Sequence, residues 1–159
     1  MNTKQGFTLM EILAVLLVIA VIASFAVPLV KSVRREMRYQ KAKAAAVQLA
    51  EVVRSFYTDS KGRLAAGGSI TPETAANPGE CPTDNPIRTG VPNPGTDDVK
   101  IVIACDYISA KMFVDLPYTF YVVDPRTSTD GAFVTGTEFG ESSPRSFTVN
   151  RDMTITEED

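Results

Sequence analysis

The stretch that decides the fold is Gly6–Val30, GFTLMEILAVLLVIAVIASFAVPLV. Its one charged side chain is Glu11. Phe7 to Val30 is 24 residues, and roughly 20 apolar residues cross a bilayer core as a helix. The segment therefore reads as a membrane-spanning helix. A carboxylate inside such a segment costs roughly 2.5–3.5 kcal/mol on insertion scales. Nothing else in the run is charged, so that cost calls for compensation from outside it.

An ordinary signal anchor or cleavable signal peptide is the plainest reading. Lys4 and the amino terminus precede the span, a weak positive-inside signal that places the first residues in the cytoplasm. Ser24-Phe25-Ala26 offers a small-x-small cleavage pattern. Two details oppose it. The apolar run continues past Ala26, and a glutamate so early in a signal-peptide apolar region is unusual.

Gly6-Phe7-Thr8-Leu9-Met10-Glu11, behind a short basic leader and ahead of a long apolar helix, resembles the prepilin motif of type IV pilins and type II secretion pseudopilins. Pro28 matches a proline that these families commonly place inside the helix. The resemblance covers about the first third of the chain. It implies that residues 1–6 are a leader, cut after Gly6 by a prepilin peptidase at the cytoplasmic face. A residue without Cβ lets its backbone approach a protease closely. Phe7 becomes the new, N-methylated terminus. In a filament, the Glu11 carboxylate is expected to meet the positive terminus of a neighbouring Phe7. Such a pair is strong in low dielectric only with both partners present. The implied partners are other copies in a helical homopolymer, other pilins, the peptidase/methyltransferase and an inner-membrane assembly platform. Before assembly the partner is membrane lipid. The implied location is a single-pass inner-membrane precursor with its head in the periplasm, then a surface pilus or a periplasmic pseudopilus.

Proline inside a helix removes one hydrogen bond and usually kinks it. The helical pattern nevertheless resumes after Pro28, with Val33, Met37, Ala44 and Val47 near three- and four-residue spacing. A kinked or locally melted long helix is expected there, not a stop. Lys31, Arg34, Arg35, Arg38, Lys41 and Lys43 follow, with Glu36 the only acid among them. The cluster reads as a solvated helix face leaving the membrane, or as a contact for anionic headgroups or acidic neighbours. A nucleic-acid role is not expected. Under the pilin orientation this cluster lies on the translocated side, against a simple positive-inside rule. Ala42, Ala45 or Ala46, Leu49, Val52 or Val53, and Phe56 form an apolar stripe suited to a sheet. Gly62 is a plausible stop, so the helix is expected from about Phe7 to about Asp59. The organisation is thus a leader (1–6), a spanning and assembly helix (7–30), its amphipathic continuation (31–61) and a head (62–159).

Within the head, residues 64–98 lack periodicity and hold six of the ten prolines, which predicts a long loop. Lys100–Cys105, Tyr118–Val123 and Ser146–Asn150 read as strands, with Ala132–Val134 and Met153–Ile155 as weaker ones. Tyr107–Phe113 reads as a short helix or turn, and Glu157-Glu158-Asp159 as a soluble tail. The expected class is α+β, a long N-terminal helix packed on a small antiparallel sheet, as in pilins.

Cys81 and Cys105 are the two cysteines. Under the pilin orientation both face an oxidising compartment, so a bridge is expected to tie the Pro-rich loop to a strand. Two free thiols are the alternative. The chain has no histidine, which removes Ser-His-Asp catalysis and histidine metal sites. It has no phosphate-cradling glycine motif. Asp97, Asp98 and Asp106 lack the spacing of a calcium loop and read as turn acids. No enzyme activity, metal or cofactor is expected. The expected role is a filament subunit; a pseudopilin, a minor pilin and a monomeric anchored binding domain are the alternatives.

Overall fold

The structure is a computed structural model that describes residues 8–59, 67–81, 98–123 and 132–158. The chain divides into two compact units, Met1–Met37 and Arg38–Asp159. One helix, α1 (Leu9–Asp59), contributes to both.

In the first unit α1 is apolar on every side and its apolar side chains are uncovered. Leu9 is 80 % exposed, Leu17 66 % and Phe25 74 %. A helix hydrophobic all round belongs in a core or a membrane, and here no part of the most apolar window is buried. The helix is long and apolar enough to cross a bilayer. Pro28 lies inside it and does not end it, so the locally melted alternative does not hold in this structure. Proline brings no amide, and the Ser24 carbonyl loses its usual donor. One turn earlier the Ser24 hydroxyl donates to the Val21 carbonyl at 2.7 Å.

The second unit is built on the expected stripe. Ala42, Ala45, Ala46, Leu49, Val53 and Phe56 are all buried, and Tyr39 joins them one turn earlier. They share a core with a five-stranded sheet, β1 (Gly68–Ile70), β2 (Tyr118–Val122), β3 (Ala132–Glu138), β4 (Ser146–Asn150) and β5 (Ile155–Glu158). The strands lie in sequence order and every pair is antiparallel. Alternate side chains of a strand point to opposite faces. Tyr118, Phe120, Val122, Phe147 and Val149 are accordingly buried, while Tyr121 is exposed. The class is α+β, as expected.

Aromatic rings fill the core. Tyr39 meets Phe147 edge-on at 5.7 Å between centroids and lies 6.4 Å from Tyr118. Phe113 meets Phe120 edge-on at 5.2 Å. Edge-to-face geometry suits the ring quadrupoles. Phe147 stands opposite Gly136 in the β3–β4 register, and its ring occupies the space a Cβ at 136 would need. The outer side of Tyr39 is flanked by cations, Lys43 Nζ 4.7 Å and the Arg145 guanidinium 5.0 Å from the ring centroid.

Four expectations are corrected. Lys100–Cys105 is not a strand: Asp98–Ala104 is a helix, labelled α3. Val99, Ile101, Val102 and Ile103 are all buried, so the segment is covered on more than one face. A short apolar run of that kind has no periodicity to distinguish helix from strand, and tertiary burial overrides β-propensity. The 64–98 segment is not all loop. It contains β1 and α2 (Pro72–Ala76). Thr71 caps α2, accepting from the Thr74 amide at 3.2 Å while its own amide donates to Thr74 Oγ1 at 2.8 Å. Third, Glu157 and Glu158 are not a tail. They lie in β5 paired with β4, and Glu157 bridges Lys43 at 2.7 Å. Last, the disulfide is not tied to a strand, as described below. A short helix, α4 (Lys111–Val114), overlaps the expected 107–113 helix or turn and ends one residue beyond it. Gly62, Asp97 and Asp159 lie outside the described residues.

Two outcomes follow. Gly136→Ala should destabilise the head by about 1–3 kcal/mol, because Phe147 must leave its rotamer or the strands must part; thermal unfolding of the full chain in detergent measures it. The second concerns the β4–β5 turn, where the Thr154 hydroxyl donates to Asp152 Oδ1 at 2.6 Å and the Thr154 amide at 3.0 Å. These bonds, the hydroxyl first, hold the Asp152 carboxyl below its ordinary range. A depressed folded value stabilises above the unfolded pKa, ~3.9, and is lost as pH falls through the folded one. Asp152→Ala should therefore unfold at slightly lower temperature than the parent at neutral pH. The gap should shrink as pH drops below ~4.

Candidate functional site

The start of α1 is built by a reciprocal cap. Thr8 precedes the first helical residue. Its amide donates to Glu11 Oε2 at 3.0 Å and its hydroxyl to the same oxygen at 3.1 Å. In return the Glu11 amide approaches Thr8 Oγ1 at 3.3 Å. The Thr8 carbonyl accepts from the amides of Glu11 at 3.1 Å and Ile12 at 3.3 Å. Threonine followed three residues later by glutamate is the capping-box pattern, which satisfies amides that a helix start leaves open. A negative charge there also suits the positive end of the helix dipole.

The carboxylate is therefore not without partners at its own position, a correction to the reading of an isolated charge. Thr8-Leu9-Met10-Glu11 carries that capping signal in the sequence. Both side-chain bonds go to Oε2. Gly6 and Phe7 lie outside the described residues. The cap engages the Oε2 atom of Glu11. Its neighbours Leu9, Met10, Ile12 and Leu13 are all exposed. The surface around the carboxylate is apolar, where a compensating cation is worth most.

In the head, Cys81 and Cys105 form a disulfide with Cα atoms 4.9 Å apart. Cys105 sits at the end of α3. There the Tyr107 amide bonds the Val102 carbonyl at 3.0 Å and the Asp106 amide the Ile103 carbonyl at 3.1 Å. Asp106, at φ 59°, takes the left-handed position of this Schellman ending. The residue read as a turn acid is thus a helix terminator. The bridge joins the segment after α2 to a helix end. An open cleft of about 540 Å³ lies beside it, lined by Pro78, Ile108, Asp106 and Lys111 among others. Among the described residues no cluster of metal-ligating side chains occurs.

Residues 1–27 match the family described as the prokaryotic N-terminal methylation motif, the signature of type IV prepilins and pseudopilins. The match includes Gly6, Phe7 and Glu11 and ends just before Pro28. No curated protein and no solved structure matches the chain.

The cap separates the charge of Glu11 from its hydrogen bonding. Glutamine at the third helical position still completes a capping box. Thr8→Ala should cost ~0.5–2 kcal/mol at the helix start, seen as faster exchange of the Glu11 amide in micelles. Glu11→Gln should leave that protection largely intact.

Proposed function

We propose that the chain is the structural subunit of a type IV pilus-like filament. It is made as an inner-membrane precursor, cut between Gly6 and Phe7, N-methylated at Phe7 and polymerised through α1. The observation that carries this reading is the methylation motif at the head of a helix whose apolar surface is bare on all sides. Lipid covers such a surface in the precursor. In a filament the same helices of other copies replace the lipid, and Pro28 lies within the assembling segment.

Glu11 gives the assembly its register. Leader removal leaves Thr8 and its cap in place and creates a cationic terminus at Phe7. The terminus of a neighbouring copy pairs with Glu11 Oε1 while Oε2 keeps the cap. Placement of the two charges in apolar surroundings penalises any stagger that separates them. The head, on the periplasmic side before export, then coats the filament. A type II secretion pseudopilin and a minor pilin share the motif and the same chemistry. The phenotype of the deletion sorts them: loss of surface pili for the first reading, loss of secreted proteins for the pseudopilin.

Intact-mass measurement of the cellular protein should show loss of Met1–Gly6 and gain of one methyl group. A mature terminus at or after Val27 would support an ordinary signal peptide instead. Glu11→Ala and Glu11→Gln should both insert, fold their heads and form the Cys81–Cys105 bridge, yet give few or no filaments. Normal filament yield from Glu11→Gln in cells lacking the parent copy would refute the charge pairing, since glutamine preserves the cap.

A further inference from the structure

The methylation motif ends before the most strongly charged surface of α1. Directly after the apolar run come Lys31, Arg34 and Arg35. Their spacing, i, i+3 and i+4, puts all three on one face of a helix. Lys31 and Arg34 are exposed; Arg35 is half-buried and has a contact of its own within the chain. The exposed apolar side chains Val30 and Met37 flank Arg34 at i−4 and i+3, so the cationic face borders the apolar one.

The depth of that cationic face is set by the span. At 1.5 Å per residue, Leu9–Val30 is about 33 Å long, enough for a ~30 Å hydrocarbon core with some tilt. Lys31 to Arg35 then covers about 6 Å of axis. Headgroup regions occupy about 5–7 Å on each side of the core. All three cations therefore lie within the headgroup layer. Guanidinium forks match phosphate geometry, and the lysine adds a point charge.

We propose that Lys31, Arg34 and Arg35 form a binding site for the headgroups of anionic phospholipids, phosphatidylglycerol being the simplest. The site selects lipid by charge and holds the precursor at fixed depth in the bilayer. It rests on α1 spanning the membrane and not on the filament reading, so it holds equally for a pilin, a pseudopilin or a monomeric anchor. In an assembling chain these headgroup contacts are surrendered as the helix leaves the bilayer. A membrane rich in anionic lipid then retains subunits longer than a zwitterionic one.

The test uses the full chain in uncharged detergent, titrated with phosphatidylglycerol or phosphatidylcholine and read by native mass spectrometry. The parent should bind phosphatidylglycerol preferentially. Lys31→Gln and Arg34→Gln should each weaken that preference about fivefold, and the triple change with Arg35→Gln roughly a hundredfold. A control with Arg54→Gln, Lys111→Gln and Arg151→Gln removes the same charge from the second unit and should keep the preference. An intact Cys81–Cys105 bridge and unchanged head unfolding confirm that each variant is folded. Undiminished preference in the triple variant, or an equal loss in the control, overturns the site. A triple variant that keeps its lipid preference but no longer associates with a second copy overturns it in favour of an acidic contact between subunits.

Discussion

A helix without a polar face has nowhere to rest in water, and everything in this chain is arranged around that constraint. From Leu9 to Val30 the side chains are almost wholly apolar and bare. Among the described residues of the same unit, no sheet or second helix covers them. The apolar surface must be met by lipid or by like helices, and both are environments in which a stray charge is costly. The carboxylate near the start is tolerable because its position is the first turn. There the open amides, the helix dipole and the Thr8 hydroxyl all favour a negative oxygen.

The head solves a different problem with a different part of the same helix. From Tyr39 onward the residues facing the sheet are mostly small, and five of the seven after Tyr39 that are buried on α1 are alanine or valine. Small helix residues leave the volume to rings from Tyr118, Phe120 and Phe147. Gly136 takes this furthest, since it yields its own side-chain space to Phe147. The last strand is fixed at two points: the ladder to β4, and the Lys43–Glu157 bridge across 114 residues of sequence. That bridge is partly exposed, so on its own it contributes little, of the order of 0–1 kcal/mol. Its neighbour Tyr39, with two cations within 5.0 Å of its ring centroid, is buried and belongs to the core itself.

The helix, its apolar stripe and three strands were legible because each carries a period or a bounded β-branched run. Tyr118–Val122 and Ser146–Asn150 alternate cleanly. The errors have physical causes. In Val99–Ile103 burial on several sides erases the period, and the helix ends on Asp106 where glycine would have announced the stop. In Thr71-Pro72-Glu73 the start signal was present, an N-cap threonine followed by proline in the first turn. The abundance of proline around it masked the signal. The acidic end looked like solvated tail because a strand of four exposed residues has no buried alternation to reveal it. At the site, the position of Glu11 was read from the motif. The cap that Thr8 supplies was written in the same four residues and needed only the spacing rule to be seen.

The Cys81–Cys105 bridge acquires another meaning once the chain is considered as a load-bearing object. Under the proposed filament reading, a chain held by its amino-terminal helix and pulled through its head would transmit force along the backbone. The bridge takes a sequence separation of 24 out of that path. Fully extended, those residues would lengthen the chain by about 80 Å. With the sulfurs joined, tension passes through the crosslink, and the enclosed segment bears none of it. The part of it that forms α3 is thereby released from mechanical duty and answers only to packing, through the buried Val99, Ile101, Val102 and Ile103.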